Sequence, residues 1–306
     1  MITNLDPEAA LFLADAGRIQ RRLADANSQV SSGKKINVAS DAPDQIGALL
    51  QLRADLQANR QIQSNLTLAQ TDANGADNAL GAAAKLMDRA VTLASQGATA
   101  TSDATTRANL AQEVQSLQEQ MVACSQTQVQ GRYIFSGDQE GSPSYALDLA
   151  ASSGVDQLSN PLATRQIQNP AGGGFPASKT AQEIFDHQNF DGSPAADNVF
   201  AALNTLRTAL LNNDTAALGA SVANLRQASD RLNSMEAFYG TVENRIQDAT
   251  TFASNYDVQL RTEISQKQDA DVTAAALELT QANTQLQAAY QARAKMPHTS
   301  LFEYLG

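Results

Sequence analysis

A chain of 306 residues is long enough for about two domains. Its apolar content is 42%, yet aromatics make up 5% and tryptophan is absent. Alanine with leucine at wider intervals fits long, closely spaced helices better than one globular core. The net charge of −11, from 21 basic and 32 acidic residues, excludes nucleic-acid binding, because no basic surplus exists to neutralise phosphates.

Residues 8–32 predict a first helix. Ile19, Leu23, Ala26 and Val30 are spaced 4, 3 and 4, the heptad rule for a narrow apolar seam. Gly33 is its expected stop, followed by a loop through Ala39. Ser40 or Asp41 is the expected cap of the next helix, with Pro43 in its first turn. That helix keeps the 4–3 alternation from Ile62 through Leu66, Leu80 and Met87 to Ala94; Gly75 and Gly81 lie off the seam. The polar stretch from Gly97 to Thr106 reads as a turn. A second long helix carries Leu110, Val114, Leu117, Met121 and Cys124 and is expected to end near Gly131, closing an antiparallel hairpin. Cys124 is the only cysteine, so no internal disulfide is possible, and its seam position marks a small core residue rather than a nucleophile.

The pattern changes at Tyr133. Pro143, Pro161, Pro170, Pro176 and Pro194, with Gly172–Gly174, break any long periodicity there. Tyr145–Leu149 and Thr164–Gln168 are the strand candidates, and Phe175, Ile184, Phe185 and Phe190 the expected core of a small inserted domain. Its acids outnumber its bases: Asp138, Glu140, Asp148, Asp156, Glu183, Asp186, Asp191 and Asp197 face only Arg165 and Lys179. Helices resume at Asp197, break at Asn212–Asp214, and resume from Leu218. The last helix is expected over Asp271–Lys295, with Val272, Ala275, Leu279, Ala282, Leu286 and Ala289 on a heptad seam. Pro297 stops it before an apolar tail with Leu301, Phe302 and Leu305.

The expected fold is therefore mainly α: a long antiparallel helical bundle or coiled coil built from both chain ends, with a small β-containing inserted outer domain. The expected divisions are an assembly segment (1–42), a helical hairpin (43–132), the insert (133–196), returning helices (197–265), and a C-terminal assembly helix and tail (266–306). Neither seam can cover itself on one helix, so each end needs a partner.

Catalytic sets are missing from the sequence. His187 and His298 are the only histidines, and both lie in loop or tail segments. Gly172–Gly174 lacks the Lys-Ser/Thr of a phosphate loop. Asp269 and Asp271 read as helix N-cap material. No enzyme, cofactor or metal is expected. The start Met1–Glu8 has neither the basic nor the apolar region of a secretory signal peptide, and no apolar run approaches the ~20 residues of a membrane span. Membrane insertion is not expected, and export would need a route that cuts no signal.

Ser31-Ser32-Gly33-Lys34-Lys35-Ile36-Asn37-Val38-Ala39-Ser40-Asp41 resembles the N-terminal signature of the bacterial flagellin superfamily, and the ending Leu301-Phe302-Glu303-Tyr304-Leu305 resembles its C-terminal module. Gly131-Arg132-Tyr133-Ile134-Phe135-Ser136-Gly137 and Gly240-Thr241-Val242-Glu243-Asn244-Arg245-Ile246 are similar to motifs of the hook-associated protein 3 branch, which joins hook to filament. The resemblance implies a structural subunit of the extracellular flagellum at the hook–filament junction. Its partners would be copies of itself, hook-associated protein 1, flagellin, and an export chaperone at the C-terminal region. The implied ends are disordered when free and helical in the polymer. An assembly interface is expected at Ile19, Leu23, Ala26, Val30, Gly33, Ile36, Asn37, Asp41, Val272, Leu279, Leu286, Leu301, Phe302 and Leu305. A flagellin proper, or a secreted coiled-coil effector or translocator, are the rival readings.

Overall fold

The structure, a computed structural model, describes residues 7–99 and 101–295. The long helices are α1 (Pro7–Ser32), α2 (Pro43–Gly97), α3 (Ala104–Ser125), α5 (Val199–Leu211), α6 (Thr215–Gln268) and α7 (Val272–Lys295), with a short α4 (Ala181–Phe185). The strands between α3 and α4 form three separate antiparallel hairpins: β1 (Gln128–Val129) with β2 (Arg132–Tyr133), β3 (Tyr145–Leu147) with β4 (Val155–Gln157), and β5 (Gln166–Gln168) with β6 (Gly174–Pro176). The chain divides into two units. One takes the residues up to Ala58 and from Tyr256 onward; the other is Asn59–Asn255.

In the Asn59–Asn255 unit the heptad stripe of α2 is the spine of the core. Leu66, Leu80, Ala83, Met87, Ala90 and Ala94 are all fully enclosed. Small residues on that stripe let α6 approach closely: the amides of Asn59 and Gln63 both donate to the Ala253 carbonyl, at 2.8 and 3.0 Å. The α2–α3 turn is held by Arg107, whose Nε donates to the Gly97 carbonyl at 2.9 Å, and Asp103 caps α3 through the Thr106 N–H.

Several local expectations need correction. The second hairpin helix stops at Ser125, not near Gly131, because β1 and β2 follow it directly. Their two-residue turn is Gln130–Gly131, both at positive φ (53° and 77°), the conformation a tight hairpin demands. Gly75 lies beneath this hairpin, where an added Cβ would come within 2.6 Å of Val129 Cγ2 and force that side chain to shift. The two predicted strands are shorter than expected, and their partners β4 and β6 lie in polar or glycine-rich stretches that the apolar pattern misses. Helix α6 begins at Thr215, with Asp214 accepting from the N–H groups of Ala216 and Ala217.

The insert has an aromatic core. Phe135 meets Phe185 edge-on at 5.8 Å and Tyr239 at 6.3 Å, and Phe185 stacks on Phe200 at 5.8 Å. Phe190 is not part of this core. It is fully exposed at the tip of a turn closed by Asn189 N–H to Ser193 O. Asp186 is buried but satisfied, accepting from Tyr145 Oη, Gln188 Nε2 and Asn198 Nδ2 at 2.8–3.1 Å. Burial and the adjacent Asp186 charge push the Tyr145 hydroxyl pKa far up. Phe135→Ala should destabilise this unit by about 3–5 kcal/mol, the usual cost of a large aromatic cavity, measured by urea unfolding of the full chain.

Candidate assembly site

The other unit joins the two ends of the chain. Helix α1 lies antiparallel to α7: Phe12 meets Tyr290 edge-on at 6.1 Å, Arg22 Nη2 pairs with Glu278 at 2.6 Å, and Gly33 O accepts from Ala270 N–H at 2.9 Å. The heptad spacing explains why these helices pair. Ala16 and Ala26 on α1, and Ala275 and Ala282 on α7, are buried at the contact. Ile19, Leu23, Val30, Leu279 and Leu286 are only half-buried there. Val272 is 48% exposed at the first residue of α7, outside the buried seam that begins at Ala275. Leu301, Phe302 and Leu305 lie outside the described residues. Polar contacts flank the seam: Arg22 also donates to Gln285 at 3.2 Å, and Gln20 to Tyr290 Oη at 3.4 Å. These are exposed and contribute little, under about 1 kcal/mol each.

The loop after α1 is built by short-range chemistry. Gly33 takes φ +69° and closes the helix with its N–H on the Gln29 carbonyl at 2.9 Å. Asn37 donates to Ser28 Oγ and to Lys34 O, both at 3.2 Å. Neither Ser40 nor Asp41 caps α2. The Asp41 carboxylate turns back to accept the N–H groups of Asn37 and Val38 at 2.8 and 2.9 Å, and the Ala42 carbonyl accepts from the Gln45 and Ile46 N–H groups of α2 at 3.0 and 3.1 Å. The two backbone N–H groups hold the Asp41 pKa below its ordinary 3.8. Asp271, by contrast, is an N-cap as expected, accepting from Thr273 and Ala274 N–H at 2.9 and 3.0 Å.

This loop is clamped to the α6–α7 turn. Lys35 N–H donates to the Gln268 carbonyl at 2.8 Å, Ile36 N–H to the same oxygen at 3.4 Å, and Lys35 Nζ to Gln266 O at 3.1 Å. The Gln268 side chain, 6% exposed, uses both ends of its amide. Its Nε2 donates to Ile36 O at 3.3 Å, and its Oε1 accepts from Arg53 Nη2 of α2 at 2.9 Å. Ile36 is 4% exposed beneath these bonds. The structure thus brings Gly33, Ile36, Asn37 and Asp41 together in one loop. The sequence reading misses Gln268 and Arg53. The available signal was a polar residue continuing the i, i+4 step from Leu260 and Ile264, which spacing alone does not separate from surface glutamine.

At the start of the insert, the Gly131–Gly137 motif has a charge lock behind it. Arg132 bridges Asp72 of α2, at 3.0 Å, to Glu140, also at 3.0 Å. Arg165 closes the square, reaching Asp72 at 2.6 Å and pairing with Glu140. Burial works against the Glu140 charge, but hydrogen bonds and charge from the two arginines outweigh it and hold its pKa below the ordinary value. Gly137 needs its φ of +55°, and a Cβ there would sit 2.6 Å from the Ala163 carbonyl. Among the described residues no group of three or more His, Cys, Asp or Glu side chains could hold a metal ion, and no described helix is long and apolar enough to cross a membrane.

Residues 8–140 match the bacterial flagellin N-terminal helical region, and residues 203–305 match the bacterial flagellin C-terminal helical region. The chain belongs to the bacterial flagellin family. Together the two matches take in most of the chain, including both partners of the α1–α7 pair and both sides of the Gln268 clamp. Solved structures share the fold. A flagellar hook-associated protein from Vibrio parahaemolyticus superposes with TM-score 0.63 at 19% identity, covering 75% of this chain and 100% of its own. Bacillus cereus FlgL gives 0.54 at 19% identity, covering 72% and 100%. Hook-associated protein 3 from Legionella pneumophila gives 0.58 at 12% identity, covering 71% and 98%. No curated protein matches the chain in a sequence comparison.

The Asp41 contact sets a pH dependence for this flagellin-type loop. A carboxylate with a depressed folded pKa stabilises above its unfolded value, and that stabilisation is lost as pH falls through the folded value. Protection of the Asn37 and Val38 amides against hydrogen exchange should hold above about pH 4 and fall below it, and Asp41→Ala should remove this acid-dependent step.

Proposed function

We propose that this protein is a structural subunit of the bacterial flagellum that sits at the hook–filament junction, between hook-associated protein 1 and the flagellin filament. The observation that carries the reading is the α1–α7 pair. The chain covers only one side of each terminal helix, leaving Ile19, Leu23, Leu279 and Leu286 half-buried and Leu11, Leu13 and Leu277 59–68% exposed. Full burial of such a side chain contributes about 1.5–3 kcal/mol, so neighbouring subunits have apolar surface left to cover. The contact is head-to-tail, because a layer that continues a tube cannot be closed by a twofold. The shared fold with hook-associated structures favours the junction over the bulk filament.

The remaining partners follow from the same reading: copies of this chain in one layer, flagellin above it, and an export chaperone on the C-terminal region before secretion. The subunit travels outside the cell by flagellar export without a cleaved signal. Ordering a terminal segment costs about 1–2 kcal/mol per residue, which neighbour contacts offset only in the polymer.

Immunogold labelling of isolated flagella should give a single band at the hook–filament boundary. Label along the whole filament would make the protein a flagellin instead. Leu286→Asp should abolish that band while leaving the thermal unfolding of the Asn59–Asn255 unit unchanged; a band of normal intensity would remove the α7 seam from the interface.

A further inference from the structure

A single exposed apolar side chain is ordinary on a protein surface, but Phe190 is held in its exposed place. No large apolar side chain among the described residues is more exposed. The turn that carries it is tied on both sides of the ring. Asn189 N–H donates to Ser193 O at 2.8 Å, and its side-chain amide donates to Ser193 Oγ at 3.0 Å. Gly192, at φ +82°, closes the tip with its N–H on Asn189 O at 3.0 Å. The foot of the turn is fixed as well. Ala195 N–H and the Asn198 amide both donate to His187 O at 2.9 Å, and Asp197 lies between His187 Nδ1 at 2.7 Å and Arg231 Nη1 at 2.9 Å. An aromatic side chain on so fixed a turn has little ordering entropy left to lose on binding. Beside it, Asp191 accepts from the Ser193 hydroxyl and N–H, which hold its carboxyl below the ordinary range. The turn thus presents an aromatic ring and a negative charge on adjacent residues.

The foot sits at the start of α5, which Asn198 caps through Ala201 N–H at 2.9 Å. At the other end of this helix, roughly 20 Å along its axis, an open groove of about 600 Å³ lies between α5, the β3–β4 loop and the α5–α6 turn. Leu149, Ala151, Leu211 and Ala217 supply its apolar lining, and Leu211 is 54% exposed. Arg207 is the cation in it. Its Nη2 donates to Leu149 O at 3.1 Å and to Oδ1 of the buried Asn204 at 3.0 Å, and Asn204 donates in turn to the Ala151 and Ser152 carbonyls. No carboxylate pairs with Arg207 among the described residues. Asp214, the other charged residue of the lining, is committed to the N–H groups of Ala216 and Ala217. We propose that the Phe190–Asp191 tip of one subunit seats in the Arg207 groove of the next, ring against Leu149 and Leu211, carboxylate against the guanidinium. The occupant is a second copy of this chain because the apolar wall and unpaired cation of the groove match the ring and carboxylate of the tip. Tip and groove are different surfaces at opposite ends of one helix. Each subunit therefore gives its tip to one neighbour and its groove to another, the head-to-tail contact that a continuing layer needs. The inference rests on the reading of this chain as a polymerising subunit, and it adds a contact made by the Asn59–Asn255 unit, apart from the terminal helices.

The test is a photo-cross-link from the tip. Phe190 is replaced by p-benzoylphenylalanine, which keeps an aromatic ring there, and the full-length chain is irradiated both in isolated flagella and as purified protein in concentrated solution. A product of twice the chain's mass should form, with the cross-linked peptide falling within residues 147–152 or 205–217. Asp191→Arg, a change confined to the exposed turn, should lower its yield about tenfold, and so should Arg207→Glu. The two substitutions together exchange the charges and should restore the yield, which a misfolded groove would not allow. A cross-link to a different protein or to another part of this chain, no cross-link in either sample, an undiminished yield in Asp191→Arg, or no restoration in the double variant would overturn the inference. The cross-linked peptide is read without reference to position along the flagellum. A failure of the junction assignment, seen in the immunogold band, and a failure of the tip-to-groove contact are therefore told apart.

Discussion

A helix with one narrow apolar stripe must bury that stripe against another helix, and everything at the ends of this chain answers to that need. The stripe of α1 is matched to that of α7, and alanines at the contact let the two backbones approach. The larger side chains on the same stripes, Ile19, Leu23, Leu279 and Leu286, are only half-buried. The terminal pair is therefore closed on one side and open on the other. That asymmetry is what a polymerising subunit requires: enough burial to pair its own ends, with apolar surface left for its neighbours.

Small-residue seams bring a second consequence. They pack closely but carry little shape, so specificity has to come from elsewhere. Here it comes from polar chemistry at the seam's end. Gly33 turns the chain, Asp41 ties the loop's own N–H groups, and Gln268 ties the loop to the α6–α7 turn. Buried hydrogen bonds are directional where alanine contacts are not, and a bond to the wrong residue leaves an unsatisfied group behind.

The Asn59–Asn255 unit solves a different problem. Its insert has short hairpins that could not hold together alone. They are fixed by aromatic contacts centred on Phe135 and by the Asp72–Arg132–Glu140–Arg165 square. The Gly131–Gly137 motif is the place where these devices meet: a positive-φ turn, one arginine of the square, a core phenylalanine and a second glycine under a carbonyl.

Periodicity and local chemistry were legible in the sequence because they depend on neighbours a few residues away. The heptad stripes, the stop at Gly33, the Asp271 cap and the inserted region follow from spacing and residue type, and the flagellin-type ends from the resemblance of their motifs. The tertiary structure decided what depends on distant partners. It turned Asp41 away from α2 toward its own loop, left Phe190 in solvent, ended α3 at Ser125, and paired strands whose second members have no apolar pattern. It also placed Gln268 between Ile36 and Arg53, more than two hundred residues away in the chain. A lone glutamine carries no sequence signal for that role, because its two hydrogen bonds exist only once the chain's two ends have been brought together.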